Sequence, residues 1–142
     1  MKISDILRRK GHEVATVRPD DTVAGFIARL AELRIGALVV SSDGQRVEGI
    51  VSERDVVRGL HASGASLLDG PVSSIMTVEV HTCEPSTSVD DLMRLMTDQR
   101  IRHVPVVQDG LLDGIVSIGD VVKRRIDELQ DERDHLLGYI RG

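Results

Sequence analysis

Aromatic side chains are almost absent from this chain of 142 residues. Phe26 and Tyr139 are the only two, and there is no tryptophan. A platform that stacks single-stranded nucleobases on aromatic rings is therefore excluded. Any flat ligand of this protein must be held between aliphatic side chains and the backbone.

Cysteine and long apolar runs are also scarce. The single cysteine, Cys83, excludes a disulfide within the chain and is typical of a reducing compartment. No apolar run approaches the ~20 residues that cross a bilayer. The early charges of Lys2 and Asp5 do not fit a signal peptide. We expect a soluble cytoplasmic protein with no membrane partner.

Positive charge is in the minority, because 18 lysines and arginines face 23 acidic residues and the net charge is −5 at pH 7. Proteins that bind nucleic acid polymers carry a basic surface, so no such partner is expected. Apolar residues make up 41% of the chain, which is enough for a packed core. The length fits one ordinary domain or two very small ones.

The main feature of the chain is a pattern that occurs twice. The two copies share an Asp-Gly pair, a Gly-Ile-Val-Ser run and an Asp-Val-Val run, at residues 43–44, 49–52 and 55–57 and again at 109–110, 114–117 and 120–122. Each unit is about 60 residues long, and there are only two. The duplication favours an intramolecular pair over an open array of repeats.

Each copy predicts the same order of elements: strand, helix, strand, strand, helix. Apolar residues spaced along one helical face follow each early proline, at Val23, Phe26, Ile27 and Leu30 and at Val89, Leu92, Met93 and Met96. Residues 20–22 and 86–88 supply candidate N-caps. Short first strands are predicted at 14–17 and 80–83. Hairpins join strands 37–40 to 49–52 and 104–107 to 114–117. Second helices begin near Glu53 and Ile118.

The fold class is therefore α/β (α+β), with two tandem β-α-β-β-α repeats and a C-terminal amphipathic helix. The expected domains are repeat one at 1–65, repeat two at 66–126 and a helical tail at 127–142. The glycine- and serine-containing stretch 61–70 is typical of a linker. An apolar stripe at three- and four-residue spacing runs along the tail, at Val122, Ile126, Leu129, Leu136 and Ile140, with Arg133 as its polar member. This stripe fits packing on the protein's own core and packing on a partner subunit equally well.

Catalytic signatures are missing from the sequence, including the phosphate-binding loops, the nucleophile elbow and the zinc-protease motif. His81 and Cys83 are two potential metal ligands, whereas a structural zinc site needs four. Cys83 has no evident base to activate it as a nucleophile. We therefore expect no metal site, no catalytic residue and no catalytic cofactor. A hydrolase acting on a bound ligand would need a base or a divalent metal, and no carboxylate cluster offers one.

The strand-to-helix corner that closes each copy carries the main functional signal. Ser52 is followed by Asp55, and Ser117 by Asp120, where a helix begins. A serine and a carboxylate at this spacing resemble a capping box, which stabilises a helix by about 1 kcal/mol. The same groups can bind a nucleotide, because the helix start attracts a phosphate and the carboxylate accepts hydrogen bonds from a ribose diol. The residues alone leave both interpretations open.

The duplicated pattern resembles a tandem pair of CBS domains, the regulatory repeat of cystathionine-β-synthase type, over about residues 1–125. The resemblance is carried by the motif G-h-h-[ST]-x-x-D at the end of each copy and by the run His103-Val104-Pro105-Val106. It implies two repeats packed with pseudo-twofold symmetry and a homodimer of such pairs. It also implies clefts that bind AMP, ADP, ATP or NAD, or S-adenosylmethionine in some members.

The resemblance also implies a role for individual residues. Asp55 and Asp120 would hold ribose hydroxyls, while Ser52 and Ser117 would meet the phosphate. The phosphate charge would be neutralised by Arg54 and Arg102, whereas Gly119 offers space and no charge. The base would be bordered by Thr16, Val17, Thr82 and Cys83 and enclosed by Gly36, Ala37, Leu38, His103, Val104 and Pro105. The two clefts are therefore expected to be unequal.

A nucleotide-sensing regulatory module that is not an enzyme is the function that these observations favour. Such a module would act through its dimer state or through an effector protein that the sequence does not identify. The alternative is a structural or interaction scaffold whose clefts hold no physiological ligand. Fold alone does not decide between these two functions.

Overall fold

The computed structural model describes residues 1–141. Its helices and strands follow the chain in the order α1 (Ile3–Lys10), β1 (Thr16–Val17), α2 (Val23–Leu33), β2 (Ala37–Val40), β3 (Gly49–Ser52), α3 (Glu53–Ser63), α4 (Val89–Gln99), β4 (His103–Gln108), β5 (Leu111–Ser117) and α5 (Ile118–Arg141). Two short 3-10 helices, Gly64–Asp69 and Val72–Ser74, separate α3 from α4. Within the described residues, no helix combines the length and apolarity needed to cross a membrane.

The sheets confirm the predicted duplication. In the first repeat, β1 pairs in parallel with β2, which pairs antiparallel with β3. In the second repeat, β4 pairs antiparallel with β5. The strand predicted at 80–83 is reduced to a single parallel bridge between Cys83 and Val106. This bridge matches the pairing of Val17 with Val40, so the two repeats keep one topology.

Local hydrogen bonds explain why the helices and the hairpin begin and end where they do. The hydroxyls of Thr22 and Ser88 accept hydrogen bonds from the backbone N–H groups of Gly25 and Asp91, at 3.1 and 3.0 Å, as N-caps do. The turn between β4 and β5 has Asp109 at φ 54° and Gly110 at φ 78°. Consecutive positive φ angles are those of a two-residue hairpin turn that matches strand twist. The predicted caps and this predicted turn are therefore confirmed.

The two hydrophobic cores exchange elements. The core of the second repeat contains Ile3, Ile6 and Leu7 from α1, although α1 lies at the start of the first repeat in the chain. The core of the first repeat contains Leu67 and Val72, which come after residue 65, the expected end of that repeat. Each core is thus completed by a segment from outside its own repeat in sequence.

The packing of α1 on the second repeat is close. A Cβ atom at Gly114 would lie 2.7 Å from Cδ2 of Leu7, which is shorter than real contacts allow. Glycine at this position in β5 therefore lets α1 approach the sheet. Helix α1 was not predicted from the sequence, although Ile3, Ile6 and Leu7 share one helical face.

The structure corrects two further expectations, the linker at 61–70 and the separate helical tail. Residues 61–70, expected to be a linker, form the end of α3 and a 3-10 helix, because Leu67 is buried at 8% exposure and anchors the segment to the first core. The predicted tail is the continuation of α5, which runs unbroken from Ile118 to Arg141. Residue 142, the last of the predicted tail, lies outside the described residues.

Replacing Leu7 by alanine should destabilise the fold by about 2–5 kcal/mol, because a fully buried leucine in a packed core leaves a cavity. Urea unfolding followed by circular dichroism measures the change. Leu33→Ala, at a position 43% exposed, is the matched control and should cost much less. Equal losses in the two variants would show that α1 does not complete the second core.

Candidate functional site

A cleft of about 390 Å³ lies between the two repeats. The first repeat contributes the start of β2 and the corner between β3 and α3, and the second contributes the segment before Thr82 and the residues that lead into β4. The lining residues are Gly36, Ala37, Ile50, Ser52, Glu53, Arg54, Asp55, Arg58, Thr77, Glu79, Val80, His81, Gln99, Arg100, Ile101, Arg102 and His103. A ligand in this cleft contacts both repeats.

The corner between β3 and α3 presents a carboxylate to the cleft. The backbone N–H and the hydroxyl of Ser52 both donate to Oδ2 of Asp55, at 2.8 and 3.1 Å. Both of these hydrogen bonds end on the same carboxylate oxygen of Asp55. They fix the orientation of the carboxylate and leave Oδ1 able to accept hydrogen bonds from a ligand hydroxyl.

The cleft carries a slight excess of positive charge although the whole chain is acidic, because its arginines outnumber the three acidic residues Glu53, Asp55 and Glu79. Four arginines line it, Arg54, Arg58, Arg100 and Arg102. Nη1 of Arg54 donates to the backbone carbonyl of Arg100 at 3.3 Å, so this side chain crosses from one repeat to the other. Guanidinium groups beside a helix start suit a phosphate or another anion. The start of α3 therefore combines groups that suit an anion with a carboxylate that can accept hydrogen bonds.

His103 adds a neutral polar group to the wall of the cleft. Burial lowers the pKa of its imidazole, and the positive charge of Lys10 acts in the same direction, while Glu53 and Asp120 oppose them. The ring is therefore uncharged at neutral pH. A neutral imidazole offers one hydrogen-bond donor and one acceptor, and so does not repel a cationic or an anionic ligand.

The equivalent corner of the second repeat is already occupied by a side chain. Nζ of Lys10 donates to Oδ2 of Asp120 at 2.6 Å and to the carbonyl of Ile115 at 2.7 Å. Ser117 completes a capping box, in which its N–H donates to Asp120 and its hydroxyl accepts from the N–H of Asp120. Burial acts to raise the pKa of the Asp120 carboxyl, but the bonds from Lys10 and Ser117 outweigh it and the pKa is lowered. The two corners are therefore chemically unequal.

The structure brings together only part of the candidate set. Seven candidates line the cleft: Gly36, Ala37, Ser52, Arg54, Asp55, Arg102 and His103. Five have buried side chains in the strands or in the bridge beside them, namely Val17, Leu38, Cys83, Val104 and Pro105. The remaining candidates, outside the lining of this cleft, are Thr16, Thr82, Ser117, Gly119 and Asp120.

Asp120 instead lines a separate cavity of about 200 Å³ between α1 and α5. Arg9, Lys10, Lys123 and Arg124 surround it together with Asp127. This cavity lies outside the cleft between the repeats, because α1 covers that side of the second corner.

Cys83 and His81 are the two potential metal ligands that the sequence suggests. The surroundings of Cys83 agree with a structural role for this cysteine. Burial raises the pKa of the Cys83 thiol to about 11, so it is protonated at neutral pH and unreactive as a nucleophile. Its backbone N–H donates to the carbonyl of Pro105 at 3.0 Å. Across residues 1–141, no group of three or more histidine, cysteine or acidic side chains is arranged to hold a metal ion.

Several residues of the site were not predicted from the sequence. Arg58 lies one helical turn after Arg54 on the same face of α3, a spacing that was readable from the sequence. Glu79, His81 and Arg100 enter the cleft through tertiary packing, which no local pattern signals. Lys10 was missed because α1 itself was not predicted.

Comparison with known proteins identifies the repeats. The CBS domain family matches residues 3–62 and 72–127. The chain belongs to the CBS-domain family. Its two CBS domains form a pair, and such a pair is a regulatory module. The expectation drawn from the duplicated motif is therefore confirmed.

Relatives across distant organisms share this pair. The CBS domain-containing protein CBSX3, mitochondrial, of Arabidopsis thaliana is 40% identical over 99% of this chain and 72% of its own length. YhcV of Bacillus subtilis, a CBS domain-containing protein, is 33% identical over 77% of this chain and 76% of its own length. The names of these two relatives mention the CBS domain and do not mention a reaction.

Solved structures confirm the fold. The CBS-domain containing protein ATU1752 from Agrobacterium tumefaciens superimposes with a TM-score of 0.85 at 45% identity, over 88% of this chain and 99% of that one. The CBS domain pair of protein MJ0100, solved with 5′-methylthioadenosine and S-adenosyl-L-methionine, gives a TM-score of 0.78 at 23% identity over 90% of this chain and 98% of that one. At that identity, the likeness to MJ0100 establishes the fold alone.

The ion pair between Lys10 and Asp120 predicts a pH effect. Replacing Lys10 by methionine should raise the pKa of Asp120, since the carboxylate loses its cationic partner. The folded-state pKa of Asp120 lies below its unfolded value, so the pair stabilises the fold above about pH 4 and this stabilisation is lost as the pH falls through the folded pKa. A carbon-13 NMR titration of the Asp120 carboxyl measures the shift.

Arg9→Met is the control for this titration, because Arg9 lies next to Lys10 and contacts Asp127 instead, at 3.4 Å. It should leave the pKa of Asp120 unchanged. An unaltered Asp120 titration in Lys10→Met would contradict the assigned contact.

Proposed function

We propose that this CBS domain pair is a non-catalytic regulatory module that binds an adenosine nucleotide, such as AMP, ADP, ATP or NAD, in the cleft between its repeats. The observation that carries the proposal is the β3–α3 corner. There, an oriented carboxylate on Asp55 stands beside four arginines. A hydrogen-bond acceptor for a diol next to an anion site matches the two polar parts of a nucleotide.

The cleft offers a place for each part of such a ligand. Oδ1 of Asp55 accepts hydrogen bonds from the ribose hydroxyls. Arg54 and Arg58, on the first two turns of α3, neutralise the phosphates together with the helix start. The base packs against aliphatic side chains of both repeats, because the chain has no aromatic ring to spare. The aliphatic lining residues are Ala37, Ile50, Val80 and Ile101.

The adenosine part of the ligand is supported by one structural neighbour. Protein MJ0100, which shares the fold, was solved with two ligands that both contain adenosine. The polar features of the present cleft suit that same moiety and add charge for phosphates. The lysine-paired Asp120 supports occupancy of one cleft rather than two.

Regulation follows from the position of the ligand. A nucleotide that touches α3 of the first repeat and the β4 entry of the second changes the free energy of their relative arrangement. A coupling of about 1–3 kcal/mol is enough to alter the affinity for a second site or partner several-fold. We propose that the module works in the cytoplasm as a homodimer and passes this change to an effector protein.

Titration of the purified protein with AMP, ATP and NAD by calorimetry tests the function directly. We expect saturable binding of at least one of them with one molecule per chain. The protein contains a single tyrosine and no tryptophan, so a co-purified nucleotide is also visible as an absorbance peak near 260 nm. Absence of binding for all three, in a protein free of co-purified nucleotide, would favour the scaffold alternative.

Asp55→Asn should weaken the nucleotide that binds best by about 10- to 100-fold, because hydrogen bonds to a charged group contribute about 1.5–3 kcal/mol. Asp120→Asn is the matched control, since it makes the same change at the equivalent corner, where Lys10 holds the carboxylate. It should leave the affinity unchanged. Dissociation constants of both variants, measured by calorimetry, test this prediction. An equal loss of nucleotide affinity in Asp120→Asn would indicate that the ligand binds at the corner of the second repeat.

Arg58→Gln should separate charged from uncharged ligands. We expect ATP binding to weaken by about 10-fold, the loss of one charge-assisted contact, while adenosine binding stays the same. Arg46→Gln, in the exposed loop between β2 and β3, removes one positive charge elsewhere and serves as the control. Equal ATP affinity in both variants would show that the phosphates do not lie along α3.

A further inference from the structure

The C-terminal half of α5 leaves the body of the protein. Its contacts with other elements end early, with Arg125 paired to Asp90 and Asp127 paired to Arg9. Every residue from 129 to 141 is exposed. This stretch projects by about 20 Å at 1.5 Å per residue.

A helical stretch without tertiary contacts is marginal in water even where it continues a packed helix, because propagation gains little per residue. Helices of this kind are held in proteins by packing of an apolar face. The exposed stretch carries such a face, since Leu129 is 58% exposed, Leu136 60% and Ile140 79%. The structure therefore leaves an apolar helix face without cover.

The apolar face continues along the whole of α5 as a narrow seam. We define the seam as Val122, Ile126, Leu129, Arg133, Leu136 and Ile140, whose spacing alternates between four and three residues. A spacing that averages about 3.5 residues is that of the a and d positions of a coiled coil, in which one helix packs against another. The seam thus predicts a helical partner of matching length.

We propose that the partner is a second copy of this chain, with the two α5 helices packed antiparallel and centred near residue 131. In that alignment all six seam positions meet a seam position of the other copy. Val122 faces the partner's Ile140, Ile126 faces the partner's Leu136, and Leu129 faces the partner's Arg133. Moving the alignment by one heptad leaves two seam positions of each helix unmatched.

The charge in the seam selects this orientation. In a parallel pair in register, Arg133 would face the Arg133 of the other copy at a buried position, and like charges there repel. In the antiparallel pair, the aliphatic stem of Arg133 lies on the partner's Leu129. Its guanidinium then lies within one helical turn of the partner's Glu132. Antiparallel packing therefore replaces a repulsion with an attraction.

Residues that flank the seam extend the same contact. Leu137 and Tyr139 are exposed at 41% and 84% and stand on either side of Ile140. The antiparallel alignment places Tyr139 at the level of the partner's Lys123, where an ammonium group can lie over an aromatic ring. The end of each tail then covers the start of α5 in the other copy. This inference deepens the proposed homodimer by naming its contact surface.

Cysteine cross-linking tests the orientation, and the native Cys83 is buried and does not interfere. The double variant Ile126→Cys/Leu136→Cys should form covalent dimers under mild oxidation, because residue 126 faces the partner's residue 136. The single variants Ile126→Cys and Leu136→Cys should not. Strong dimer formation by either single variant would indicate a parallel pair. Absence of cross-linking in the double variant would overturn the proposal.

Sedimentation equilibrium tests the seam without cysteines. Leu136→Asp should shift the protein towards monomer and raise the dissociation constant of the dimer at least about 10-fold, since it buries a charge against Ile126 of the partner. His135→Asp introduces the same carboxylate one residue earlier, on the outer face, and should keep the dimer. Circular dichroism verifies the fold in both. Equal association of the two variants would overturn the proposal.

The same samples keep this inference separate from nucleotide binding. AMP and ATP titrated into Leu136→Asp report on the cleft, while cross-linking of the double variant without nucleotide reports on the seam. Cross-links without nucleotide binding would support the seam and reject the proposed ligand. Nucleotide binding without cross-links would do the reverse.

Discussion

The packing of α1 on the second repeat is the interaction on which the rest of the structure depends. Ile3, Ile6 and Leu7 fill a core that the second repeat does not close by itself. Buried apolar surface of this kind is the dominant favourable term in folding. The same docking brings Lys10 to Asp120. One helix therefore completes a core and also determines the chemistry of a potential ligand corner.

Two repeats with one topology thereby acquire chemically different corners. The corners share their backbone pattern, since Glu53 N–H donates to the carbonyl of Gly36 as Ile118 N–H donates to that of Arg102. The asymmetry comes from what meets each carboxylate. Asp120 meets a lysine of the same chain, whereas Asp55 meets a cleft lined by arginines. A half-buried carboxylate needs a partner. Asp120 has a cationic partner in Lys10, whereas the partners of Asp55 are the N–H and the hydroxyl of Ser52.

The sequence predicted the elements whose signals are local. The strands at 37–40 and 49–52, the caps at Thr22 and Ser88 and the start of α3 follow from apolar period, turn dipeptides and capping side chains. The duplication favoured an intramolecular pair, and the family resemblance added the pseudo-twofold packing and the clefts. The features that the sequence did not predict depend on tertiary packing. They are the crossing of α1 to the second core, the anchoring of the supposed linker by Leu67, and the entry of Glu79 and Arg100 into the cleft. Contacts between residues distant in sequence produce no periodic pattern in the sequence. The burial of five candidate site residues in the strands follows from the register of the sheets.

Helix α5 joins the corner of the second repeat to the exposed seam. It starts at the corner of Asp120, packs beside α1 and α4, and continues as the exposed seam. A helix of this length is stiff, so its two ends move together. Over roughly 33 Å from Ile118 to Ile140, a rotation of about 5° at the corner displaces the tip by about 3 Å. Coiled-coil packing at the seam tolerates little displacement, because each side chain fits into a defined hole of the facing helix. A small change in the angle between the repeats is thus amplified at the surface where a second chain would bind.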